Sequence, residues 1–135
     1  MKKTIFFVMI GIIVLAIILV ISFICFVPKC GEFSVKDYED EIAYGRKSNE
    51  IYGSIDNRFE AFIVGVQEIH ECFPMSKKDY LYGIGANREL YYDQQSDTWL
   101  LRLSFEDGED FVVIGGVHCC IMTSTGEILS CWREV

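Results

Sequence analysis

Hydrophobic positions are distributed along this chain in three ways, and each predicts a different element. From Ile5 to Val27 they are continuous: IFFVMIGIIVLAIILVISFICFV carries no charge and only Ser22 as a clearly polar residue. From Asp56 they recur in steps of three and four, at Phe59, Phe62, Ile63, Val66, Ile69 and Phe73. From Arg88 onward they alternate, as in TWLLRLSF, where Trp99, Leu101, Leu103 and Phe105 share one face. The first pattern predicts a membrane span, the second an amphipathic helix and the third half-buried strands.

The continuous run is long enough to cross a bilayer, since 23 residues at a helical rise of about 1.5 Å reach about 34 Å. The apolar core of a cleaved signal peptide is shorter, about 7–15 residues, and ends at a small-residue site. This run ends in Phe26-Val27-Pro28-Lys29, a poor cleavage sequence, and no lipobox-like small residue precedes Cys30. Residues 1–27 therefore read as an uncleaved anchor in the lipid bilayer. Lys2, Lys3 and the terminal amine precede the span, and Lys29 alone competes beyond it. Basic flanks stay in the cytoplasm, which predicts a single-pass protein of the cell membrane with a cytoplasmic N-terminus and everything from Pro28 outside.

Residues 28–55 are the least periodic. KDYEDEIAY reads either as a short helix, Lys36 to Tyr44, stopped by Gly45, or as part of a spacer. Residues 56–135 read as one α+β domain. Asp56 is placed to cap the helix and Pro74 to end it. RELYY, TWLLRLSF, the long segment Phe111 to Thr123 and EILSCW follow as about four antiparallel strands. DQQSD, EDGED with its Asp107-Gly108 pair, and Thr125-Gly126 make the turns. Gly115-Gly116 lies inside the long strand, where glycine marks a bulge or bend. Such a bend lets the sheet curve around the helix as a cone; close approach of a ligand to the backbone is the alternative use.

Charge narrows the choice of partner. The chain has a net charge of −8, from 12 Lys and Arg against 20 Asp and Glu. Without Lys2 and Lys3, 10 basic residues face the same 20 acidic ones. Nucleic acid and anionic lipid surfaces both call for positive patches, so the balance points instead to a basic protein. Glu106, Asp107, Glu109 and Asp110 form the densest acidic patch and the candidate partner-binding surface, with a solvated hairpin turn as the plain alternative.

The cysteines offer chemistry that strand geometry restricts. His118, Cys119 and Cys120 are consecutive, so their side chains alternate between faces and cannot converge on one ion. His70, Glu71 and Cys72 point in different directions from a helix. Neither triplet predicts a metal site. A nucleophilic cysteine needs an electropositive site with a base nearby, and His118 points away from Cys119. Hairpin register is more telling. A two-residue Thr125-Gly126 turn sets Cys120 opposite Cys131, whereas a bulged three-residue loop sets Cys119 there. Directly opposed strand residues lie close enough for a disulfide, which an oxidising exterior would permit. Cys120–Cys131 is the favoured pair, and reduced cysteines acting as small apolar residues are the alternative.

The succession of a helix ending near Pro74, a SDTWLLRL strand, VIGGVHCCI and TGEIL resembles the NTF2-fold immunity proteins of bacterial toxin–immunity systems. The residues that carry the likeness are Trp99, Gly115, Gly116, Gly126, Ile128 and Leu129, within Asp56 to Arg133. The resemblance implies a cone-shaped NTF2-like domain that binds and neutralises a cognate toxin. It implies neither catalytic residues nor a cofactor. The membrane anchor departs from the simplest form of that family. A helix followed by a meander ending in TGEIL also resembles PepSY-like envelope modules thought to bind or inhibit peptidases. An NTF2-like enzyme would need a polar cluster inside the cone, and the alternating faces here are mostly apolar.

Overall fold

A computed structural model describes residues 1–73, 87–105 (for Phe105 the backbone alone) and 116–134. Pro74, the acidic patch at Glu106, Asp107, Glu109 and Asp110, and Gly115 lie outside the described residues. The chain begins with helix α1 (Lys2–Phe26), which is apolar around its whole circumference and long enough to cross a membrane. Strand β1 (Cys30–Glu32), a 3-10 turn over Val35–Tyr38, and helices α2 (Glu39–Tyr44) and α3 (Arg58–Cys72) follow. Strands β2 (Asn87–Asp93), β3 (Thr98–Phe105), β4 (Gly116–Thr123) and β5 (Ile128–Glu134) complete an α+β architecture.

The sheet has five strands in the order β1-β2-β3-β4-β5, one more than the alternation predicts. The additional strand is β1, which pairs parallel to β2 through Cys30, Gly31 and Glu32. Three residues are too few to display a period, so the sequence pattern does not reveal them. The segment 28–55, read as spacer or short helix, belongs to the packed structure. Phe33, Tyr38 and Ile42 cover the sheet face that carries Leu100, Cys119 and Ile121.

Helix α3 covers the opposite face, against Leu90, Leu101, Leu103, Cys120, Met122 and Cys131. Its N-cap is Asn57 rather than Asp56: the Asn57 side chain accepts from the backbone N–H groups of Phe59 and Glu60. Asp56 instead donates its backbone N–H to the carboxylate of Glu60 in the first helical turn, one residue before the position a capping box would use. Ala61, Phe62, Gly65, Val66, Glu68 and Ile69 form the buried face. Ile63, expected in the apolar stripe, is 52% exposed, because the arc centres on Gly65, where helix and sheet approach closely. A methyl group at Gly65 would sit 2.7 Å from a Leu101 methyl and 2.9 Å from the Met122 methyl.

The β4–β5 hairpin combines the two registers that the sequence allows. At its tip, Thr123 bonds Glu127 across a three-residue loop in which Gly126 has φ +89°. Beyond a bulge between Ile121 and Met122 the pairing shifts, so that Cys120 faces Cys131 and His118 faces Arg133. Gly116, at φ +112°, opens β4. Asp93 ties the β1 side of the sheet to the β2–β3 turn, accepting from the Val35 N–H at 2.9 Å, the Gln95 N–H at 3.0 Å and the Ser96 hydroxyl at 2.8 Å.

Two outcomes follow from these contacts. Gly65→Ala forces Leu101 or Met122 to move and is expected to cost about 1–3 kcal/mol, read as a lower urea midpoint for the protein in detergent. The backbone N–H of Val35 and the hydroxyl of Ser96 hold the Asp93 carboxyl below its ordinary pKa. Its contribution to stability is therefore complete above the unfolded carboxyl value and is lost as pH falls. Thermal stability is expected to drop on acidification below about pH 4, and less steeply in Asp93→Asn; an unchanged slope would remove Asp93 from the account.

Candidate functional site

Two groups of residues stand out beyond the packing core. The first is the exit of α1. A helix ends with unsatisfied carbonyls and a negative dipole end, and here the domain supplies the partners. The Phe26 carbonyl accepts from Arg88 Nε at 2.9 Å, and the Pro28 carbonyl accepts from Arg58 Nη1 at 3.1 Å. The Arg88 guanidinium lies 3.9 Å from the Phe26 ring centroid, and Phe26 meets Phe62 edge-on at 5.6 Å. Val27, the last residue of the expected span, is 2% exposed and belongs to the α3-side core of the domain.

The second group gathers where the C-terminal turn of α3 meets β5. Glu68 and Cys72, four residues apart, project from one helix face. A Glu68 carboxylate oxygen, the Cys72 sulfur and the Cys131 sulfur all lie within 4.8 Å of one another. Glu68 is 1% exposed, and its Oε2 accepts from the Tyr52 hydroxyl at 2.7 Å. Arg46 locks both cysteines in place. Its backbone N–H and carbonyl each bond Cys131 at 2.8 Å, and its guanidinium donates to the Cys72 carbonyl. Because both backbone groups of Cys131 point to Arg46, its pairing with Cys120 is of the non-hydrogen-bonded kind, which brings side chains closest. A hydrogen bond to Cys131 and burial push the Cys72 thiol well above its ordinary pKa; a hydrogen bond to Cys120 is the main cause of a similar rise at Cys131.

The structure thus places Cys120 opposite Cys131, as the favoured register requires, and holds both as free thiols. It adds Glu68 and joins Cys72 to the group. Neighbours in sequence such as His70, Glu71 and Cys72 diverge on a helix, whereas the relevant spacing runs from Glu68 to Cys72 and then across to another element. His118 stays apart, buried with its ring 4.8 Å from Phe73. Cys119 lies on the other face, beside Glu134 at 3.8 Å, and burial raises its thiol to about 12. There Arg102 bridges Glu89 at 3.6 Å and Glu134 at 2.7 Å.

No protein-family model, curated protein or solved structure matches this chain. The reading of the site therefore rests on its geometry. Tyr52→Phe tests that geometry directly. It leaves the buried Glu68 carboxylate without its hydroxyl donor, which is expected to cost about 1–3 kcal/mol of stability, measured by thermal or urea unfolding. A melting temperature equal to wild type would show that the hydrogen bond contributes nothing.

Proposed function

We propose that this chain is a membrane-anchored immunity protein, with an NTF2-like domain that neutralises a bacterial toxin by stoichiometric binding outside the cytoplasm. The observation that carries the reading is two exposed apolar side chains beside acidic residues. Tyr44 is 88% and Ile51 79% exposed; among the described residues the other exposed large apolar side chains are Met1, those of α1 and Ile63 on α3. Tyr44 is the last residue of α2, and Ile51 lies in the stretch that follows along β5, where Arg46 bridges Cys131 and Ile51 bridges Glu127. Glu39, Asp40, Glu50 and Glu127 are exposed around them. Exposed Arg46 and Lys47 lie between Tyr44 and Ile51 in the chain, so the surface offers an aromatic and an aliphatic contact among charges of both signs, the make-up of a protein-binding rim.

Coverage of the sheet supports binding over turnover. α3 fills one face, and the stretch containing Phe33, Tyr38 and Ile42 fills the other, so contact with a macromolecule falls to the outer surface. The order of α3 and the antiparallel meander, with Gly116 opening β4, is compatible with the NTF2-like likeness. Lys2 and Lys3 before the span support the exterior placement of the domain.

The test is protection. Cells making the full chain are expected to survive a toxin encoded beside its gene, and the purified pair to form a one-to-one complex. Tyr44→Ala should weaken that complex at least tenfold, about 1.4 kcal/mol, while leaving the melting temperature unchanged. Absence of both protection and a complex would end the immunity reading. Labelling of the exposed Cys30 by an impermeant maleimide in intact cells, absent in Cys30→Ser, is expected if the domain is outside.

A further inference from the structure

The cluster between α3 and β5 has features that packing alone does not require. A carboxylate is 99% hidden from solvent yet brought against two thiols, with a third thiol, Cys120, directly across the hairpin. Glu68 also lies within 4.8 Å of both Glu50 and Glu71 carboxylates. Glu68 is thus shared by two groups, with Cys72 and Cys131 in one and Glu50 and Glu71 in the other, and carboxylates held this close repel one another unless a proton or a cation joins them. Arg46, beside them, places its guanidinium on the Cys72 carbonyl and 5.0 Å over the Phe73 ring.

We propose that Glu68, Cys72 and Cys131 form a binding site for a borderline-soft divalent cation, Zn²⁺ first among them. Tetrahedral zinc with sulfur at about 2.3 Å and oxygen at about 2.1 Å separates its ligand atoms by roughly 3.6–3.8 Å. The three donor atoms here already fall within 4.8 Å of one another, so only small side-chain rotations separate the observed arrangement from a bound one. A mixed sulfur and oxygen set favours zinc over the hard cations magnesium and calcium, which take oxygen alone. Cys120 faces Cys131 across the hairpin but is not one of the three clustered donors.

The surroundings match what metal sites need beyond their ligands. The Tyr52 hydroxyl fixes Glu68 from behind, as outer hydrogen bonds do for ligating carboxylates. The spacing of Glu68 and Cys72 presents two donors from one helical turn, and the Arg46 bonds hold Cys131 in register. Joining α3 to β5, the metal would clamp helix to sheet at the end of the domain away from the membrane exit. Bound thiolates would also be shielded from oxidation to a Cys120–Cys131 disulfide.

Cobalt titration of the full-length, reduced protein in detergent tests the site. Wild type is expected to develop a thiolate-to-cobalt charge-transfer band in the near ultraviolet, displaced by Zn²⁺. Cys72→Ser and Cys131→Ser should lose the band, and Glu68→Gln should weaken binding at least tenfold. Cys119→Ser, on the other sheet face, should keep it. Zn²⁺ should also raise the melting temperature of wild type, a readout that stands even if Cys131→Ser does not fold. A wild-type protein without the band, a band that survives Cys72→Ser, or a disulfide at Cys131 in protein isolated with zinc present would each overturn the proposal.

Discussion

The organisation of this protein depends on how a long, wholly apolar helix is allowed to end. Along α1 the backbone carbonyls are satisfied by the helix itself, and at its C-terminus the last ones lose that partner. Arg88 from β2 and Arg58 from α3 supply donors there. The positive side chains also oppose the negative end of the helix dipole. Because Val27 is then drawn into the core, the anchor and the domain share residues instead of being joined by a tether. Phe23 against Phe59 and Phe26 against Phe62 extend that shared packing.

From this fixed end, the two halves of the domain take different tasks. The central strands β3 and β4 carry the apolar rows, with Leu90, Leu101, Cys120 and Cys131 aligned from strand to strand. At the far end of that row aliphatic packing gives way to thiols and a carboxylate. The change coincides with Arg46, which bonds both Cys72 and Cys131. One arginine therefore joins the stretch after α2, the end of α3 and β5. The exposed Tyr44 lies two residues before it, so the proposed binding flank and the buried cluster share a support.

Much of this architecture is legible in the residues. The continuous run from Ile5, the three-and-four spacing of α3 and the alternation of β3 each declare their element, because each buries a long, regular face. The opposition of Cys120 and Cys131 is one of the two registers the sequence allows, but it comes from the bulge, since the three-residue loop at the tip alone would set Cys119 there. What is not legible arises from short or distant pairings. β1 has three residues and no period. Phe33, Tyr38 and Ile42 look like part of a spacer until the sheet face they cover is in place. The thiol cluster needs Cys72 and Cys131, 59 positions apart in the numbering, to meet across a helix–sheet contact. Glu68 reads as a solvent-facing acid among apolar neighbours, and only the close approach at Gly65 explains why its turn of helix sinks against the sheet.

The covering of the sheet edges has a consequence for association between copies. An open strand edge serves as a template for pairing between chains that meet repeatedly. Here Arg46 bonds β5 at Cys131, Tyr52 and Ile55 bond the turn at Gly126 and Ser124, and the opposite border is the three-residue β1. Among the described residues these contacts shorten the free backbone that copies of the chain could zip together. Recognition is left to side chains, which can discriminate between partners where a bare strand edge cannot.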